Sequence, residues 1–131
     1  MPWTPDEKEI QAVLALDGPA RYRHLVKKAA DERLVWSLWH PEGWALAQDD
    51  AGCQLIPIWP HSKYAELCAD RSWAGFDPKA IPVNAWLDRW IAGMERDGRL
   101  VAAFPTPNDK GVIVDPRRFE RDLRRELTQY E

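Results

Sequence analysis

Eight tryptophans stand in this chain of 131 residues, at positions 3, 36, 39, 44, 59, 73, 86 and 90, with only three tyrosines and three phenylalanines beside them. An indole hides roughly 150–250 Å², so eight of them supply much of the core of a small protein. The same side chain is also a preferred anchor of binding surfaces. A chain of this length is about one domain long and can bury a core without a metal or disulfide staple. Residues 1–131 therefore read as one compact α+β domain, with the helix of residues 1–18 at its periphery. Which indoles fill the interior, and which face outward, is the question the sequence poses.

Local periodicity supplies the elements. In "TPDEKEIQAVLAL", Thr4 suits an N-cap, Pro5 a first helical position and Glu7 a capping-box acid, while Ile10, Val13 and Leu14 form an apolar face that Gly18 ends. After Pro19, Tyr22, Leu25, Val26, Ala29 and Ala30 make an amphipathic stripe, with Arg23, Lys27 and Lys28 turned to solvent. "LVWSLWH", "GWALAQ" and "CQLIPIW" then change the period to that of strands, broken by the turn signals "PEG" and "DDAG", and predict an antiparallel meander. Both faces of the first run are apolar, so both are expected to be covered. Pro57 lacks an N–H, so the third strand should lie at an edge or bulge there.

His61 or Ser62 opens a helix with Tyr64, Ala65, Leu67 and Cys68. "DRSWAGFDPKA" reads as a loop and "IPV" as a short extended piece. Asn84 caps the next helix, lined on one side by Trp86, Leu87, Trp90, Ile91 and Met94 and closed by Gly98. "LVAAF" and "VIV" form a later hairpin around "PTPNDKG". Asp115 and Pro116 start a last helix, with Phe119, Leu123, Leu127 and Tyr130 inward. The expected fold is α+β: a small antiparallel sheet, meander plus hairpin, packed by about five helices mostly on one side.

Charge and cysteine content narrow the function classes. A net charge of −3 offers no general positive field for nucleic acid. Residues 117–125 hold five arginines, but Glu120 and Asp122 among them and Glu126 beyond give a helix face laced with ion pairs rather than a phosphate-binding stripe. No apolar run reaches the roughly 18 residues of a membrane span, and "MPWTPDEKEI" is not a signal peptide. The expected location is the cytoplasm, where Cys53 and Cys68 are free thiols.

His24, His40 and His61 share no metal-type spacing, Cys53 and Cys68 lie fifteen apart, and no metal or cofactor is expected. His61 and Cys68, seven apart on a helix, stand about 10 Å from each other, too far for a nucleophile–base pair. Cys68 therefore reads as a buried thiol and His61 as the start of a helix. Asp49 and Asp50 form a carboxylate pair, yet "DDAG" is also what a tight turn requires. Two aromatic and proline-rich loops are left. They hold Trp59, Pro60, His61, Tyr64 and Trp73 in one, and Phe104, Pro105, Thr106 and Pro107 in the other. Stiff apolar residues on loops lose little entropy on ordering and suit recognition.

Those segments carry a resemblance. "GWAL", "IPIWPHSKYAELCA", "IPV", the W-L-x-x-W run and "FPTP" followed by "KG" and "VIVDP" are similar to the uncharacterised bacterial domain-of-unknown-function family 2750, over about Tyr22 to Leu127. "IPIWPHSKYAELCA" with the later "IPV" also resembles, more loosely, the N-terminal domain of SseB-like secretion-enhancer proteins, which implies an α+β fold with an antiparallel sheet. Neither resemblance supplies a catalytic residue. The reading of the residues is a non-enzymatic protein-binding module that uses the two loops as its face and a protein, neither nucleic acid nor membrane, as its partner. Two alternatives stand beside it. One is a small-ligand or enzyme pocket with Trp walls and Asp49, Asp50 or His61 as polar groups. The other is a toxin-immunity protein.

Overall fold

The structure, a computed structural model, describes residues 3–130 apart from the side chain of Tyr130, so the inward placement expected for that ring lies outside the described residues. Helix α1 (Glu7–Leu14) is capped by Asp6, whose carboxylate accepts from the Glu9 N–H at 2.8 Å. The cap is thus Asp6 and not Thr4, and Pro5 precedes the helix with its ring buried. Gly18 does not end α1. It opens α2 (Gly18–Glu32), which is capped by Asp17 and carries Pro19 in its first turn. The stripe expected on α2 is buried as a set, Leu25, Ala29 and Ala30 completely.

The strands form two sheets where a single meander was expected. In the first, β1 (Leu34–His40) pairs with β2 (Gly43–Trp44) through a tight turn, and its other edge pairs antiparallel with β5 (Asp77–Pro82), Val35 opposite Ile81. The second holds β3 (Ala47–Gln48), β4 (Gln54–Ile58), β6 (Leu100–Ala103) and β7 (Val112–Val114), in that order. The later hairpin, β6 with β7, is found as expected. β4 and β6, however, run parallel, with Ile56 opposite Val101. A parallel pair needs a long crossover. Here it is supplied by α3 (Ser62–Leu67), a 3-10 turn (Arg71–Trp73), β5 and a helical rod. That rod begins as α4 (Val83–Ala85), widens into a π-helical turn (Trp86–Trp90) and continues as α5 (Ile91–Asp97) to the left-handed Gly98. Asn84 lies within the rod and not at its cap: its carbonyl oxygen accepts only from the adjacent Ala85 N–H. The last long helix, α6 (Pro116–Leu127), is capped by Asp115. Counting α4 to α5 as one rod, five helical rods and two small sheets make an α+β fold among the described residues.

One backbone bridge joins the sheets. Trp36 and Trp59 exchange both main-chain bonds, 2.9 and 2.8 Å long. Beside it, the Ser37 hydroxyl donates to the Pro57 carbonyl at 2.7 Å. The Ile58 carbonyl accepts from Phe104 on the β6 side, so alternation turns the missing N–H of Pro57 to the other side, where β3 has already ended. Pro57 therefore forfeits no ladder bond, in line with the local edge expected of it.

Only Trp59 and Trp86 among the eight indoles are fully buried, with Tyr64, Phe104 and Phe119 the next largest side chains of the core. The other six are half-buried, at the seam between core and surface. Several pair there: Trp44 stands edge-on to Trp90 at 4.8 Å, and Trp86 stacks on Trp90 at 5.3 Å. Replacing Trp59 with Phe removes a buried donor and leaves a void, so it is expected to cost about 2–4 kcal/mol. The half-buried Trp39→Phe should cost under about 1 kcal/mol. Urea denaturation of both variants checks this, and equal losses would contradict the role assigned to Trp59.

Candidate functional site

The chain after β6 is held from behind by side chains of distant elements. Phe104 extends the ladder through its N–H to Ile58, yet its own φ is +57°, a left-handed conformation unusual for a bulky residue. Its ring is wholly buried, with Tyr64 edge-on at 5.0 Å and His24 at 6.3 Å. The Pro105 carbonyl accepts two donors: the Trp59 indole N–H at 2.8 Å and the Cys68 thiol at 3.5 Å. Thr106 and Asp109 then close a tight turn by reciprocal main-chain bonds of 2.8 and 3.2 Å. Asp109 takes the Gly111 N–H on one oxygen, at 2.9 Å, and the Arg21 guanidinium on the other, at 2.7 Å. Arg21 is 4% exposed and also donates to the Leu16 carbonyl. Gly111, at φ +87°, has no substitute here, because a β-carbon would stand 2.7 Å from the Ala103 oxygen.

Across from this loop lies the 3-10 turn that follows α3. Trp73 closes that wall, with its indole N–H on the Leu46 carbonyl at 3.3 Å and its ring edge-on to Trp59 at 6.1 Å. Between the two walls is an open cleft of about 500 Å³, floored by Leu55, Ala102 and Cys68. Its rim carries Gln48, Asp70, Arg71, Ser72, Asn108 and Lys110. Arg71 adopts a left-handed φ of +50°, so strained non-glycine backbone occurs in both walls.

The structure divides the nine residues expected to form a binding face. Trp73, Pro105, Thr106 and Pro107 line the cleft. Trp59, Tyr64 and Phe104 are at most 1% exposed, and Pro60 is buried too. Their placement corrects the expectation of an exposed loop face: they are the frame beneath the cleft, because each ring finds more apolar area in the interior than on a loop. His61 lies elsewhere, half-buried between Trp3 and Trp36 at 5.3 and 6.0 Å. It is the N-cap of α3, accepting the Lys63 N–H on Nδ1 at 3.1 Å.

The polar groups weighed for chemistry have structural duties. Asp49 accepts from the Ala51 and Cys53 N–H groups, so it builds its turn, and Asp50 is fully exposed, 3.7 Å from Lys110. The two cysteines are unpaired. Burial, reinforced by the charge of Asp70, pushes the Cys68 thiol up to about 11, so at neutral pH it is protonated and donates to Pro105. The Asp109 carboxyl is held below its usual range, first by the Gly111 N–H and then by Arg21. Burial lowers the imidazoles of His24 and His61, assisted by Lys28 and Lys63 respectively. Arg21 and Asp109 were not anticipated. The one sequence hint of Arg21 was its place beside Tyr22 at the edge of the apolar stripe, and its partner lies 88 residues away.

Fold and cleft together describe a small two-sheet α+β arrangement with an open recess on its mixed sheet. Residues 22–123 match the family described as "Protein of unknown function (DUF2750)", and the chain belongs to that family. No curated protein and no solved structure matches it. Among the described residues no helix is long and apolar enough to cross a membrane.

Asp109→Asn leaves a buried guanidinium without its counter-charge and is expected to cost about 2 kcal/mol, whereas adding Arg21→Met should restore much of that loss. Denaturant titrations of the single and double variants read the difference, and additive losses would sink the pairing. His61 caps α3 only as the neutral ring. Its folded value is depressed, so the stability it contributes is complete above the unfolded value of 6.5 and is lost as pH falls below that. His24, also depressed, adds a loss of the same sign. His61→Asn keeps a cap that does not titrate. Its denaturation midpoint should fall less than the wild type's between about pH 7.5 and 5.5. Identical pH slopes would refute the cap's role.

Proposed function

We propose that the cleft between the 70–73 turn and the 105–110 loop receives a short segment of a partner protein, and that the chain is a non-enzymatic binding module. The observation behind this reading is the fixation of the loop from its interior side by Trp59, Cys68 and Arg21. Such a loop has already lost its conformational freedom, so a ligand need not supply that ordering cost. Toward the cleft it turns Thr106 and Pro107, opposite the pinned indole of Trp73. Stiff apolar walls with a mixed polar rim suit a peptide: the walls take side chains, while Gln48, Ser72 and Asn108 offer partners to its backbone. The two unpaired cysteines support a cytoplasmic setting.

A second reading draws on the recess itself. About 500 Å³ falls within the range of small-ligand sites, so a metabolite is the alternative occupant. Selection from a phage library of random dodecapeptides tests the first reading. Enriched peptides should bind the wild-type chain and lose at least about tenfold in affinity to Trp73→Ala combined with Pro107→Ala, a loss of hot-spot size. The far-UV circular dichroism of that variant should be unchanged. If no peptide is enriched, or the enriched peptides bind the variant equally well, the peptide reading is wrong.

A further inference from the structure

A second concavity lies on the other side of α2. It is a groove of about 720 Å³ where α2 meets α6, and Tyr22, Val26 and Val112 line its apolar part. Four cationic side chains border it: Arg23 and Lys27 from α2, and Arg118 and Arg125 from α6. Two carboxylates, Asp122 and Glu126, accompany them. Asp122 is already engaged, since it accepts from the Tyr22 hydroxyl at 2.6 Å and lies 3.9 Å from Arg118. Among the described residues Arg23, Lys27 and Arg125 have no ion-pair partner.

Each helix by itself matches the sequence expectation of a solvated face. On α6, Glu120 bonds Arg117 and Arg124, and Arg117 also reaches Glu95. Packing α6 on α2 changes the balance, because the unpaired Arg23 and Lys27 of α2 and the unpaired Arg125 of α6 come to border one groove with an apolar floor. The result is a local positive excess on a chain whose net charge is −3.

We propose that this groove binds an oligophosphate, a chain of linked phosphate groups, free or as part of a nucleotide. Three of the four cations are guanidinium groups, whose planar fork matches phosphate oxygens and which lose little hydration on pairing. Their spacing calls for an extended polyanion. Arg23 and Lys27 are four residues apart, about 6 Å along a helix, and Arg118 and Arg125 are seven apart, about 10 Å. A single phosphate can be met by neighbours on one helix, such as Arg23 and Lys27, whereas a phosphate chain also reaches the cations of the other helix. Tyr22 keeps its proton, because burial and the Asp122 carboxylate both raise its hydroxyl, so it adds no negative charge to the floor.

Calorimetric titration of the full chain with inorganic tripolyphosphate tests the proposal, with a nucleoside triphosphate as the second arm. One equivalent of tripolyphosphate is expected to bind, more weakly as salt rises from about 50 to 200 mM. Arg23→Ala with Arg125→Ala should weaken it by at least about tenfold, the size of lost charge-assisted bonds at an open groove. Glu126→Gln removes a like charge and should tighten it by about two- to fivefold, a change of sign that general destabilisation does not mimic. Equal affinity for the two ligands assigns recognition to the phosphate chain, and tighter nucleotide binding adds a base against the Tyr22 floor. No binding at millimolar tripolyphosphate, or the same affinity in all three proteins, would overturn the assignment.

Discussion

The indole N–H of Trp59, donated to the Pro105 carbonyl inside the core, is the contact on which both the fold and the cleft depend. Trp59 follows directly on β4, so this bond fixes the exit of one strand to the exit of its parallel neighbour β6. Through its main chain the same residue holds β1, and with it the first sheet, against the second. Its ring packs perpendicular to that of Trp73, so the far wall of the cleft rests on it as well. A buried carbonyl left without a donor is expensive, and Pro105 brings no N–H of its own that would need satisfying in return. The arrangement gives the Pro105 carbonyl two donors, from Trp59 and from Cys68, and adds no orphan at that residue.

Strain is accepted around that point. Phe104 takes a left-handed conformation that costs on the order of 1–3 kcal/mol for a non-glycine residue. Full burial of its ring is worth roughly 1.5–3 kcal/mol, enough to offset the strain. The turn that results brings Gly111 against the Ala103 carbonyl, where only a hydrogen fits. The "FPTP" and "KG" segments are thus two halves of one constraint. A left-handed Phe turns the chain out of β6, and a glycine lets it return over the backbone it has just left.

What could be read from sequence was what is local. The stripe of α2, the inward face of α6, the His61 start of α3 and the Gly98 stop depend on residues within a turn or two of each other, and all are found. The parallel pairing of β4 with β6 depends on chain more than forty residues distant, and an apolar run states that a strand is buried without naming its neighbour. β5 was hidden by Pro78 and Pro82, which resemble loop punctuation but sit on the outer strand of the first sheet, where a missing donor is tolerated. The site was legible as a region and not as a surface. Composition marked the correct loops, yet an indole on a loop and an indole beneath one read the same, and only Trp73, Pro105, Thr106 and Pro107 of the nine line the recess. The Arg21–Asp109 pairing was not legible, because Arg21 hints at burial only by its place beside the stripe and nothing local points to a partner 88 residues away.

Cleft and groove share a wall, and that shapes what either can do. Arg21 on α2 grips the cleft loop through Asp109, while its neighbours Tyr22 and Arg23 face the groove. On the loop the same division falls between Lys110, which lines the cleft, and Val112, which lines the groove. Gly111 stands between them, where a side chain would strike the Ala103 carbonyl. Val112 packs close to Gly18, where a β-carbon would meet its methyl group at 3.1 Å. Gly111, next to Val112, donates to the carboxylate that ties the cleft loop to Arg21, so the two recesses meet at one short stretch of chain.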